Sequence, residues 1–289
     1  MELARTKAEL QARLGPARAR GAHIALAPTM GALHDGHGAL IEAAARSADL
    51  VVVSDFVNPS QFAAGEDFER YPRDLQRDAD FAARAGADLL FAPSVAELYG
   101  TVTEPLSATS IDVGELGRIW EGALRPTHFA GVALVVVKLL GLTRPHSAYF
   151  GEKDYQQLCV IRQLVRDLDI ATRIVAVETV READGLALSS RNRYLDAGQR
   201  QQAAGIFAAL QAARHGARAG QRDARALEQV AREALADFEI GYVALVDPDS
   251  LRSLDALTAP ARLLVSVTLG GVHLIDNSAI APPGADDGP

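Results

Sequence analysis

The chain has 289 residues, enough for one large domain or two ordinary ones. Hydrophobic residues make up 48% and charged residues 23%, globular values that exclude a mainly disordered chain. A formal charge of -8, from 29 Lys and Arg against 37 Asp and Glu, argues against a general binder of nucleic acid or anionic membrane.

Met1–Arg20 carries charges throughout and lacks the apolar core of a secretory signal. His23–Thr29 reads as a strand, Gly36–Ser47 as a helix and Leu50–Val57 as a second strand, followed by a polar loop through Asn58–Pro72. Arg73–Ala85 has helical patterning closed by Gly86, and Asp88–Ala92 is a third strand ended by Pro93. Phe129–Leu142 reads as a buried helix, Ser147–Phe150 as a short strand, Asp154–Leu168 as a helix and Arg173–Val180 as a further strand. Apolar runs that are continuous rather than alternating fit parallel strands covered on both faces. The expected class is α/β, a Rossmann-like parallel-sheet domain over residues 1–180.

Beyond that point the pattern changes. Asp196–His215 and Asp223–Phe238 read as helices, and Gly241–Val246, Leu263–Leu269 and Val272–Ile275 as strands, a smaller α+β domain over residues 181–289. The tail Ala281–Pro289 has the composition of a frayed end. The longest apolar stretch, Val132–Leu142, contains Lys138 and is too short to span a bilayer. A single cysteine, Cys159, leaves neither a disulfide framework nor a cysteine-rich metal site, and fits the reducing cytosol.

Four segments at strand ends carry residues suited to chemistry. Pro28–His37 (PTMGALHDGH) joins the first strand to the first helix, where helix N-termini attract phosphate. Gly31 and Gly36 allow close backbone approach, and His34 and His37 can donate hydrogen bonds to phosphate as charge develops. The pair lacks the glutamate of a zinc HExxH, and the chain has neither a Walker loop nor a GxGxxG. Phe150–Gln157 (FGEKDYQQ) supplies Lys153 for a polyphosphate and Asp154 as a helix cap or Mg²⁺ ligand, or else forms a solvated surface turn. Asp184–Asn192 (DGLALSSRN) offers two hydroxyls and Arg191 as an anion clamp. In Phe56–Phe62 (FVNPSQF), Gln61 offers an amide to a hydroxy acid or amine.

Together with EGALRPTHFAGV (121–132) and LIDN (274–277), these segments stand in the order and spacing of the pantoate–β-alanine ligase (pantothenate synthetase) family, which the chain resembles from about residue 23 to 278. That family belongs to the nucleotidyltransferase superfamily related to class I aminoacyl-tRNA synthetases, and LSSR at 188–191 looks like its KMSKS-like loop. The resemblance implies that pantoate and β-alanine are joined through pantoyl-adenylate at the expense of ATP. It implies catalytic roles for His37, His34, Lys153 and Arg191, with His37 as the acid. ATP would be bound by Met30, Gly31, Ala32, Leu33, His34, Asp35, Gly36 and His37, by Gly151, Glu152, Lys153 and Asp154, and by Val180, Leu188, Ser189, Ser190 and Arg191. Gln61 would hold pantoate and β-alanine, and Gln157 pantoate. Mg²⁺, a cytoplasmic location and a homodimer are implied as well.

Three residues depart from the family pattern: Asp55 for an apolar residue, Ser60 for Met, and Thr127 for Gly, the last expected to stiffen its loop. An unpaired carboxylate within a strand core would be costly or take up a proton, so Asp55, near the carboxyl end of its strand, is expected to be met by a polar partner, water or a subunit edge. A plain nucleotidyltransferase is the nearest rival, separated by whether free AMP appears. An RNA-binding reading would rest on Arg214, Arg218, Arg222 and Arg225, but Asp223, Glu228, Glu233 and Asp237 offset them, as on a solvated helix face.

Overall fold

The computed structural model describes residues 1–63, 65–100 and 109–284; of the tail expected to fray, residues 285–289 lie outside them. Short, largely apolar stretches form six strands, each paired in parallel with its neighbours. They are β1 (Glu2–Ala4), β2 (Ile24–Thr29), β3 (Leu50–Asp55), β4 (Leu89–Phe91), β5 (Ser147–Gly151) and β6 (Arg173–Val177), in the order β1-β4-β3-β2-β5-β6. The chain moves outward from β2 through β3 to β4 on one side and returns to β5 on the other. The carboxyl end of β2 therefore lies at the reversal of strand order, where open α/β sheets take ligands.

The accompanying helices are α1 (Lys7–Ala19), α2 (Asp35–Ala45), α3 (Leu75–Arg84), α4 (Val95–Tyr99), α5 (Glu121–Leu124), α6 (His128–Thr143) and α7 (Tyr155–Asp167). Leu40, Ile41 and Ala44 of α2 and Ala82 of α3 pack on Ala25, Ala27, Val51, Val53 and Leu90 of the sheet. α6 lies against β2, and α1 against α6. No helix among the described residues is long and apolar enough to cross a membrane.

The second part holds α8 (Ala197–Ala203), α9 (Gly205–Arg218), α10 (Ala224–Ala234) and an antiparallel sheet β7-β8-β9 of Glu239–Val246, Ala261–Leu269 and Val272–Ile280. Its core joins Ile206, Leu210 and Ala213 of α9 and Leu227 and Ala231 of α10 to Val243, Leu245, Leu263, Val265 and Val267. A parallel α/β sheet with a small α+β part is the class expected. The chain divides into two compact units, Met1–Glu152 with Gln157–Val177, and Lys153–Gln156 with Glu178–Pro289.

Several boundaries differ from expectation. β1 and α1 occupy the charged N-terminus; Thr6 caps α1 by accepting from the Glu9 amide, although Gly15 and Pro16 break the helical signal within it. β6 stops at Val177, and Val180 instead accepts from the Leu188 amide. The single helix expected over Asp196–His215 is two, parted at Ala204, and β9 runs on to Ile280.

Candidate active site

β2 ends at Thr29, whose hydroxyl donates to the Ser54 carbonyl (2.6 Å) and accepts from the Gly31 amide (3.1 Å). The chain then passes through left-handed backbone at Gly31 (φ 76°) and Ala32 (φ 51°) before α2 begins. Glycine is needed at 31 for two reasons: the positive φ, and a Cβ that would come within 2.3 Å of Asp55 Oδ1. Nδ1 of His34 accepts from the Gly36 amide (3.2 Å), and Nδ1 of His37 from the His34 amide (3.3 Å). With Nδ1 accepting, a neutral ring carries its proton on Nε2, so both imidazoles are set as Nε2 donors. Their ring centroids are 4.1 Å apart at the positive end of α2. Asp35 opens the first turn of α2 and is exposed.

The loop is held by a residue that sequence reasoning missed. Asp78, buried in the first turn of α3, accepts from the amides of Ala32 (2.7 Å) and Leu33 (2.8 Å). A signal was available, since Asp78 interrupts the inward stripe formed with Leu75, Ala79 and Ala82. Asp55 is partly buried against Gly31, and the charged neighbour it meets is Asp78. Burial first, and the Asp78 charge second, push its carboxyl up to about 7. Asp78 thus acts on Asp55 as a like charge, and burial and repulsion together favour the protonated carboxyl.

Gln61 is buried at the end of a 3₁₀ turn, Pro59–Gln61, that Asn58 caps. Its Oε1 accepts from Asn58 Nδ2 (2.9 Å), and its Nε2 lies 3.0 Å from the Met30 sulfur, so these two site residues meet. Its backbone carbonyl accepts from His128 Nδ1 (3.0 Å) and Arg125 Nη2 (3.3 Å). Arg125 is itself bidentate on Glu66, at 2.9 and 2.6 Å. Burial would raise the Glu66 carboxyl, but the Arg125 guanidinium outweighs it and holds the group below its ordinary range. Gly131 lets α6 approach this turn, since a Cβ there would lie 2.1 Å from the Ser60 carbonyl oxygen. The departure at Ser60 adds a hydroxyl that donates to Asn58 Oδ1 (2.9 Å). Thr127 precedes α6 without a side-chain capping bond. Gln157 is half-buried in α7, and Gly151 ends β5.

In the second unit Lys153 sits in a 3₁₀ turn, Glu152–Asp154, its Nζ 3.5 Å from Asp154 Oδ1. Val180 and Leu188 close the neck of a turn centred on Gly185, beyond which Ser189 caps a 3₁₀ segment by accepting from the Arg191 amide (3.2 Å). Ser190 is buried there and Arg191 half-buried.

The family model for pantoate-beta-alanine ligase matches residues 2–279. A pantothenate synthetase of Rhizorhabdus wittichii is 50% identical, covering 98% of this chain and 99% of its own. One of Rubrobacter xylanophilus is 48% identical over 91% and 93%. The crystal structure of pantothenate synthetase from Thermus thermophilus superposes with a TM-score of 0.91 at 47% identity, covering 98% of this chain and all of that one. The Francisella tularensis ligase, complexed with beta-gamma ATP and beta-alanine, gives 0.79 at 34% identity over 96% and 97%. Matched along nearly its whole length in sequence and in fold, the chain belongs to the pantoate–β-alanine ligase family.

Proposed function

We propose that this chain forms pantothenate from pantoate and β-alanine in two steps carried by the residues above. The pantoate carboxylate attacks the α-phosphorus of ATP, giving pantoyl-adenylate and pyrophosphate. The β-alanine amine then attacks the activated carbonyl, forming the amide, releasing AMP and giving up a proton. A carboxylate is a poor electrophile, and adenylation supplies the leaving group it lacks.

The observation that carries the reading is the His34–His37 pair, both rings set as Nε2 donors at the start of α2. Donors fixed in advance stabilise charge as it builds on phosphate, with no reorganisation during the reaction. His37 serves the reacting phosphate as acid, His34 its neighbour, and the Gly31–Gly36 backbone the nucleotide. Lys153 and Arg191 neutralise the polyphosphate, and Gly151–Asp154, Val180 and Leu188–Ser190 complete nucleotide binding. Gln61, beside Met30, serves the acid and the amine, and Gln157 the acid. The ATP and β-alanine bound by the Francisella relative support both substrate classes.

Magnesium enters as MgATP, part of the substrate, because Mg²⁺ is ordinarily carried on phosphates with few protein ligands. The working form is a cytoplasmic homodimer, which sedimentation of the purified chain tests. The chemistry is tested by pantoate-dependent exchange of labelled pyrophosphate into ATP without β-alanine. His37→Ala and Lys153→Ala each lower that exchange about a hundred- to a thousandfold while the chain stays folded. The attack of β-alanine on preformed pantoyl-adenylate suffers less. Near wild-type exchange in both variants would overturn the site.

A further inference from the structure

Two adjacent polar residues of β9, Asp276 and Asn277, are both buried, and each is tied to a different segment given above to the nucleotide. Neighbouring side chains of a strand project to opposite faces, so one dipeptide can reach two separate stretches of chain. Asp276 accepts from Arg181 Nη1 at 2.6 Å and Nη2 at 3.0 Å. The same Nη1 donates to the Gly185 carbonyl (3.0 Å), and the guanidinium lies 4.5 Å from the Phe207 ring centroid. Arg181 bridges to Ala187 one residue before Leu188. The Asp276–Arg181 fork therefore fixes the turn from which Leu188–Arg191 emerges.

Asn277 works on the other segment. Its Nδ2 donates to the Lys153 carbonyl (3.0 Å), and its Oδ1 accepts from Arg262 Nε (2.7 Å). Arg262 lies 4.0 Å from the ring centroid of Tyr155, two residues beyond Lys153. A long lysine side chain delivers its charge only as accurately as its backbone is held, and Asn277 holds that backbone.

We propose that Asn277 and Asp276 are positioning residues for the adenylation step, Asn277 setting Lys153 and Asp276 setting the 188–191 loop. This rests on the reading that Lys153 and the loop serve ATP. Preorganising donors raises their effect on developing charge, and an error of an ångström is enough to lose it.

The test is the KM for ATP and for pantoate, and kcat, in pyrophosphate exchange by the full chain. Asn277→Asp keeps an oxygen for Arg262 and turns the donor facing the Lys153 carbonyl into an acceptor. Asp276→Asn leaves Arg181 one acceptor and removes a negative charge. Both raise the KM for ATP about tenfold, the scale of one lost buried hydrogen bond, and change that for pantoate less than twofold. The two variants alter charge in opposite senses, so a simple field effect would move the ATP constant in opposite directions and overturn the proposal. In a Lys153→Ala background Asn277→Asp adds less than a twofold further change. If the ATP constant stays within twofold in both variants while Lys153→Ala alone collapses exchange, the positioning role is wrong and the nucleotide reading stands. If Lys153→Ala exchanges normally, that reading fails and the proposal with it. Equal changes for ATP and pantoate would mean a purely structural role and overturn it as well.

Discussion

Replacing Asp55 by asparagine stabilises the protein above neutral pH and flattens its dependence on pH. The folded carboxyl titrates at about 7 against an ordinary value of 3.8, displaced by burial and then by the Asp78 charge. Between those values the folded chain holds a proton that the unfolded chain has released. Stability therefore falls as pH rises through this window and levels off above about 7. A shift of roughly three units corresponds to about 4 kcal/mol. Because Asp55 is only partly buried, solvent screening reduces this to about 2 kcal/mol. Asparagine keeps the shape beside Gly31 and removes the charge. Urea unfolding at pH 4 and pH 8.5 reads the difference: little change at the lower pH, and a variant about 2 kcal/mol more stable at the higher. Parallel curves of stability against pH for the two proteins, or a variant weakened at pH 8.5, would refute the reasoning.

Asp78→Asn keeps one acceptor for the amides of Ala32 and Leu33 and sets an NH₂ against the other, costing about 2 kcal/mol of stability by urea unfolding and raising the KM for ATP. An unchanged ATP constant would dissociate this clamp from the nucleotide loop. Gln61→Ala removes the amide between Asn58 and Met30, and weakens pantoate and β-alanine about tenfold or more while ATP changes little. Equal losses for all three substrates in steady-state kinetics would count against that assignment.

Elements were legible where a local signal spoke for itself. β3 opens on four consecutive aliphatic residues, Leu50–Val53, and α2 begins at a Gly-bearing turn after a strand. The N-terminal helix was hidden because Gly15 and Pro16 oppose it locally, while Leu10 and Leu14, fully buried, hold it in place. The stop of β6 at Val177 was equally hidden: Val180 is apolar like Val175 and Val177 of the strand, but its carbonyl accepts from the Leu188 amide and diverts the chain.

The sequence alone determined the alternation of strands and helices, the chemistry-bearing segments at strand ends, and through their order the family. These are properties of neighbouring residues, set by periodicity and by the backbone freedom of glycine. Only the tertiary structure decided which polar groups hold those segments. Asp78 reaches Ala32 across 46 positions, Asp276 reaches Arg181 across 95, and Asn277 reaches Lys153 across 124. No local rule links such residues. Their pairing follows from burial, because a polar group removed from water must find its partner wherever the packed chain has brought one.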